Sequence, residues 1–192
     1  MKYFLIVFIF AYQASAGTHT SPYTDQIENK IKALTPSDLV GLEKGHGTPF
    51  GGMAKAAELN GLPGPRHVLD LKVELELSLV EIKEIEAIFK KMNKTAVKAG
   101  RELIQIEESL DKKLKNKEIE SDGLLELVEK SAQKYGELRY SHLVAHLETA
   151  EVLSKKEIDE YNRLRGYTSN NPCQNIPKGH PPEMWKKHHG CN

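Results

Sequence analysis

At 192 residues, the chain is long enough for one domain and short for two. Its 27 Lys and Arg side chains balance 27 Asp and Glu, so it lacks the basic excess of a nucleic-acid binder. Charged residues make up 28% and aromatics 7%, the composition of long amphipathic helices or of disordered chains, and the periodicity of the middle of the chain excludes the second.

Taken in order, residues 1–16 read as a signal peptide. Lys2 precedes a short apolar run, Tyr3 to Tyr12, and Ala14-Ser15-Ala16 supplies the small-x-small pattern of a cleavage site. The run is about half of the ~20 residues a membrane-spanning helix needs, and no later run approaches that length. The expectation is export to the periplasm, a mature chain starting at Gly17, and no stable membrane insertion. Residues 17–33 are polar and read as a flexible N-terminal arm. Thr35 as cap and Pro36 at the first helical position open a short helix, which Gly45, Gly47, Gly51 and Gly52 end. Met53 to Leu59 favours another short helix, stopped by Gly61, Pro63, Gly64 and Pro65, and helix resumes from His67 to about Leu75.

The strongest signal starts at Leu77-Ser78-Leu79-Val80-Glu81, where Ser followed three residues later by Glu forms a capping box. Ile82, Ile85, Phe89, Met92, Ala96, Ala99, Leu103, Ile106 and Leu110 then alternate spacings of three and four with no proline between. This predicts one helix from Ser78 to about Asn116, a rod of roughly 55 Å. Asn116 to Gly123 makes the turn. Leu124, Val128, Ser131, Tyr135, Leu138, His142, Ala145, Thr149 and Val152 continue the spacing in a second long helix with a more polar seam. A short link between two long helices implies an antiparallel hairpin. Leu153-Ser154-Lys155-Lys156-Glu157 repeats the capping box and opens a shorter helix ending near Gly166; residues 168–192 read as an irregular tail containing Cys and His.

The paired Leu-Ser-x-x-Glu boxes flanking a long hairpin resemble the LTxxQ motifs of the Spy/CpxP family, with Ser for Thr and Glu for Gln. Met53 to Leu69 and Tyr161 to Tyr167 are similar to further segments of that family and of the related periplasmic heavy-metal sensor and resistance domains. The resemblance spans roughly residues 21–167 and leaves out the tail. It implies an all-α fold, a helical domain over 34–167, a periplasmic location and a homodimer with a cradle-like surface. It also implies one of three roles: holding unfolded proteins without ATP, damping envelope-stress signalling through a partner protein, or binding divalent metal.

Two groups of residues carry candidate chemistry. His142 and His146 stand one helical turn apart and can face one ion, with His67 as a third ligand and Met92 as a soft fourth. The bland alternative keeps His142 as a seam residue bonded to a backbone or carboxylate group, and His146 half exposed. In the tail, Cys173 and Cys191 read as a disulfide in an oxidising compartment, worth roughly 3 kcal/mol in the chain-entropy view. A metal site built from them with His180, Met184, His188 and His189 is the alternative. No serine sits in a nucleophile elbow, and the glycines lack a phosphate-loop lysine, so the sequence predicts no enzyme. No cofactor is required; zinc, nickel or copper are the ions these ligands suit. The expected function is a periplasmic chaperone or stress protein that holds unfolded polypeptides on a helical surface. A periplasmic metal-binding sensor or resistance protein is the alternative.

Overall fold

A computed structural model of the chain describes residues 20–46, 52–167, 176, 181–188 and 190–191. The proposed signal peptide and its cleavage site lie outside these residues, as do Gly47, Gly51, Cys173, His180 and His189. The described part is mostly helical, without a strand. In chain order the helices are α1 (Pro36–Lys44), α2 (Lys55–Leu59), α3 (Pro65–Asp70), α4 (Leu79–Asn116), α5 (Ser121–Val152), α6 (Lys155–Leu164) and α7 (Pro182–His188).

The hairpin forms where the spacing places it. At the start of α4, the Glu81 carboxylate accepts from the Ser78 N–H at 2.7 Å, and Ser78 Oγ accepts from the Glu81 N–H at 3.3 Å. These bonds satisfy backbone donors that a helix start leaves unpaired. The helix runs for 38 residues and stops at Lys117, whose left-handed backbone (φ 58°) turns the chain. α5 begins at Ser121, two residues before the expected end of the turn, with Asp122 favourably placed in its first turn. It packs closely against α4. The Ser154–Glu157 box opens α6 with nearly the same distances as the first, 2.7 and 3.3 Å.

The N-terminal helices lie on the hairpin. α1 and α3 pack on α4, and α2 and α3 touch α5. One core joins Ile31, Leu34, Leu42 and Met53 to Ala96, Ala99, Leu103 and Leu138; a second joins Val68 and Leu75 to Ile85, Leu153 and Tyr161. Small residues make the first possible. A Cβ added to Gly100 would fall against the Leu42 carbonyl, 3.0 Å from its carbon.

Three local expectations change. The segment expected as an open arm is anchored at its C-terminal end: Ile31 is 1% exposed, and the Lys32 N–H donates to Asp111 at 3.2 Å. Ile27, Ile31 and Leu34 follow helical spacing, but over a stretch too short and polar for the sequence to announce which of them is buried. α3 begins at Pro65 rather than His67, because proline suits the first helical position. It ends at Asp70 rather than Leu75, and the chain then turns through a left-handed Glu76 (φ 55°). That turn delivers Leu75 to the core. Within the stretch 168–192, read as irregular, Pro182–His188 forms α7, helped by Glu183 in its first turn and Lys186, Lys187 and His188 in its last.

Ile85 is fully buried, so Ile85→Asp is expected to lower stability by several kcal/mol through an unpaired buried charge. Gly100→Ala is expected to cost about 1–3 kcal/mol by overpacking, although alanine is intrinsically the better helix former. Urea denaturation midpoints check both; an unchanged midpoint for Gly100→Ala would mean that α1 does not sit on α4 as described.

Candidate functional site

The buried face of α5 carries Leu138, His142, Ala145, His146 and Thr149. Two histidines one turn apart thus point into the protein, 7% and 5% exposed. Each is fixed by a backbone carbonyl. His142 Nδ1 lies 2.9 Å from the Leu138 carbonyl oxygen in its own helix. His146 Nδ1 lies 2.8 Å from the carbonyl of Leu62, in the link between α2 and α3. A carbonyl only accepts, so Nδ1 carries hydrogen in both rings, and in a neutral ring so held the lone pair is on Nε2. His142 Nε2 is buried and has no hydrogen-bond partner.

Both rings line one cavity of about 170 Å³, together with His46, His67, Phe89 and Met92. Lys55, Glu58, Gly64 and Arg66 also border it. Gly64 is where the walls come closest. A Cβ there would stand 3.0 Å from His146 Nε2 and 3.2 Å from Glu58 Oε1, so the glycine leaves the room in which ring and carboxylate face each other. Glu58 is held from behind. The hydroxyl of Tyr161, a fully buried α6 residue, donates to its carboxylate, 2.9 and 3.0 Å from the two oxygens, and lies 3.5 Å from the Gly64 N–H. Burial, helped by the Glu58 charge and this bond, pushes the Tyr161 hydroxyl above its ordinary pKa.

The three histidines singled out from the sequence therefore border the same cavity, together with Met92. They are not equally placed. His67 is at the half-exposed rim, with Nδ1 3.7 Å from the Asp70 carboxylate. Among the described residues, no three His, Cys, Asp or Glu side chains are grouped closely enough to hold a metal ion. The sequence reading had His146 half exposed in its bland form; it is buried instead, because the α2–α3 link covers it. Glu58, Gly64 and Tyr161 were missed. Their partners lie far away in sequence, and Glu58 looks like any other surface carboxylate. In the tail, Met184 is exposed and Cys191 is disulfide-bonded, while Cys173 is outside the described residues.

Chemically, the cavity offers two fixed imidazole lone pairs, a carboxylate and a thioether. Comparison with known proteins adds no relative: no protein-family model, curated protein or solved structure matches the chain.

Burial, the larger cause, holds the His146 imidazole below the ordinary histidine pKa; His142 and His67 act in the same direction, and the Leu62 carbonyl and Glu58 carboxylate oppose them. Unfolded, the ring takes up a proton near ~6.5. Folded, it does so only at lower pH. Its contribution to stability is therefore complete above ~6.5 and is lost as pH falls from there through the depressed folded value. The melting temperature should drop on going from pH 7.5 to pH 5.5. His146→Asn, which keeps a donor near the Nδ1 position but does not titrate, should lose less over the same interval. Equal losses in both proteins would assign the pH dependence to other groups.

Proposed function

We propose that this chain is an exported helical protein that binds a divalent transition-metal ion between α5 and the α2–α3 segment. It would serve as a periplasmic metal sensor or resistance protein of the kind related to the Spy/CpxP family. The observation that carries the reading is the shared tautomer of His142 and His146. Each ring spends its Nδ1 hydrogen on a backbone carbonyl and keeps the Nε2 lone pair, which is how metal-ligating histidines are oriented by their surroundings. The unpartnered, buried His142 Nε2 gives the same indication, since such an atom ordinarily costs stability unless something uses it. His67 borders the same cavity at its rim, and Met92, which suits a borderline or soft ion, also lines it. No helix among the described residues is long and apolar enough to cross a membrane.

A second reading, the holding of unfolded polypeptides, draws on a different region. Leu114, Leu124, Leu125 and Val128, at the turn end of the hairpin, are all exposed. A client or a second copy of the chain would cover that end; Leu125→Glu should then reduce suppression of aggregation or dimerisation without touching metal binding.

The metal reading is tested by calorimetric titration of zinc and nickel into the full mature chain carrying His180→Gln, His188→Gln and His189→Gln, so that the tail does not compete. Saturable binding is expected, weakened more than about tenfold by His142→Ala or His146→Ala. Gly64→Ala, which removes no ligand but crowds the His146 ring, should weaken it as well. No saturable binding at micromolar metal would sink the proposal and return both histidines to a purely structural role.

A further inference from the structure

α5 carries apolar and small residues on two sides. Its buried side, with Leu138, His142, Ala145 and Thr149, faces the protein. A second set, Leu125, Ala132, Gly136, Tyr140, Leu143 and Leu147, recurs at steps of seven, four, four, three and four. Those steps keep it on one helix face, turned away from the first. Leu125, Tyr140 and Leu147 are 58%, 69% and 51% exposed, Ala132 and Gly136 are exposed as well, and Leu143 is half-buried. Single apolar side chains on a surface need no explanation, but a stripe about 33 Å long does.

Gly136 adds a second observation. Glycine weakens a helix interior, so one in mid-helix calls for a reason of space. Gly100 has that reason inside the chain, in the backbone of Leu42. Gly136 has none there: a Cβ added to it meets nothing within 4 Å. The room it leaves is on the outside, where the backbone of another helix can come close.

The stripe is also symmetric about Gly136. Ala132 and Tyr140 lie four residues to either side of it, and Leu125 and Leu147 eleven. An antiparallel copy of the same helix, crossing at Gly136, sets each Tyr140 over an Ala132 and each Leu125 against a Leu147. Large meets small at the centre and leucine meets leucine at the ends. A two-fold contact between identical surfaces requires this self-complementarity, and an unrelated partner does not. Identical faces also bring like charges together, which repel unless they are compensated. The acids Glu126, Glu137 and Glu148 are compensated within the chain, by Lys130, Lys134 and Lys91. Seven residues out, Glu129 meets Leu143; its aliphatic stem covers the leucine while the carboxylate stays in water.

We propose that the outer face of α5 pairs with the same face of a second copy of this chain, antiparallel and crossing at Gly136. The pairing is independent of the metal-binding reading and shares only Leu125 with the exposed turn end. A contact about 33 Å long and ~10 Å wide covers on the order of 300 Å² per copy, against ~800 Å² in a standard interface. The dimer is therefore weak, with a dissociation constant on the order of 100 μM.

Sedimentation equilibrium of the full mature chain, from low micromolar to millimolar concentration, should show monomer passing to dimer. Tyr140→Glu, at an exposed position, should weaken the dimer about tenfold or more with unchanged circular dichroism. Gly136→Ala should weaken it about fivefold yet raise the midpoint of urea unfolding measured on dilute monomer, opposite signs that a folding defect would not produce. Ala132→Cys combined with Tyr140→Cys tests the register. The two positions are about 12 Å apart along one helix, too far for a disulfide within the chain. Oxidation at high concentration should give a covalent dimer from the double variant and little from either single one. A chain that stays monomeric at millimolar concentration would overturn the proposal, as would a dimer that neither Tyr140→Glu nor Gly136→Ala weakens. A dimer that Tyr140→Glu dissociates but the paired cysteines do not trap would overturn the antiparallel crossing at Gly136. A monomer that binds reduced, unfolded lactalbumin through this face, and loses that binding with Tyr140→Glu, would give the stripe to a client instead.

Discussion

The seating of the end of α1 on α4 governs what the rest of the chain can do. The backbone at Leu42 lies on Gly100, and a Cβ at Gly45 would meet Asn93 and Val97. The Asn93 side chain donates to the Lys44 carbonyl at 2.9 Å, giving a polar partner to a carbonyl at the end of α1. Ala96 and Ala99, both buried, keep this side of α4 low enough for a neighbouring backbone to approach. At Gly100 this closeness is gained by omitting a side chain, so it cannot be compensated by repacking: a methyl group there meets the Leu42 backbone, not a rotamer that can swing away. Once α1 ends on this spot, Met53 and Ala57 reach the core, and the link between α2 and α3 crosses α5 at His146.

That link is held by polar bonds as much as by apolar contact. Its residues are met in turn by side chains of α5 and α6. Tyr161 donates to Glu58, in α2 just before the link, and its hydroxyl lies 3.5 Å from the Gly64 N–H; Asn162 donates to the Gly61 carbonyl at 3.2 Å, and His146 donates to the Leu62 carbonyl. A non-helical segment with buried backbone groups needs such partners, because each unmet group costs stability comparable to a lost hydrogen bond. The consequence is that the bond which satisfies Leu62 also selects the His146 tautomer. On the proposed metal reading, the proton that meets this structural requirement would also leave the ring's other nitrogen for binding.

This coupling also explains what was legible in advance. The starts of α4 and α6 were readable because a capping box is local, with all its partners within four residues. The His142–His146 pair was readable for the same reason, since a helix puts positions four apart on one face. Glu58 and Tyr161 were not, being 103 residues apart in sequence. Nothing near Glu58 distinguishes it from the acidic residues that coat the hairpin, and Tyr161 sits in a helix whose pattern is otherwise satisfied by packing. Gly64 read as a helix stop, a sound reading of Gly beside Pro; that it also gives space to a ring from α5 is a property of the assembled fold. The heptad spacing, conversely, promised more than is buried. Leu124 and Val128 keep the rhythm of the seam but remain exposed, because no N-terminal helix extends that far.

The hairpin thus has two unequal halves. Toward the α4 start and the α5 end, it is overlaid by α1 to α3 and α6, and its seam buries Ile85, Ala96 and Ala145 beside Ser141, His142 and Thr149. Toward the turn, polar ties bridge the helices: Ser131 bonds to Glu107, and Lys134 reaches Glu102 at 2.8 Å. Ties at this partly buried surface contribute modestly, and two helices alone bury too little to hold each other firmly. Local opening should therefore begin at the turn and die out before the histidines. A cavity that must present two rings in fixed tautomers belongs in the half that does not open, and a surface that must adapt to a partner belongs in the half that does. The two readings of function place their demands on different halves, so the same chain can meet one without compromising the other.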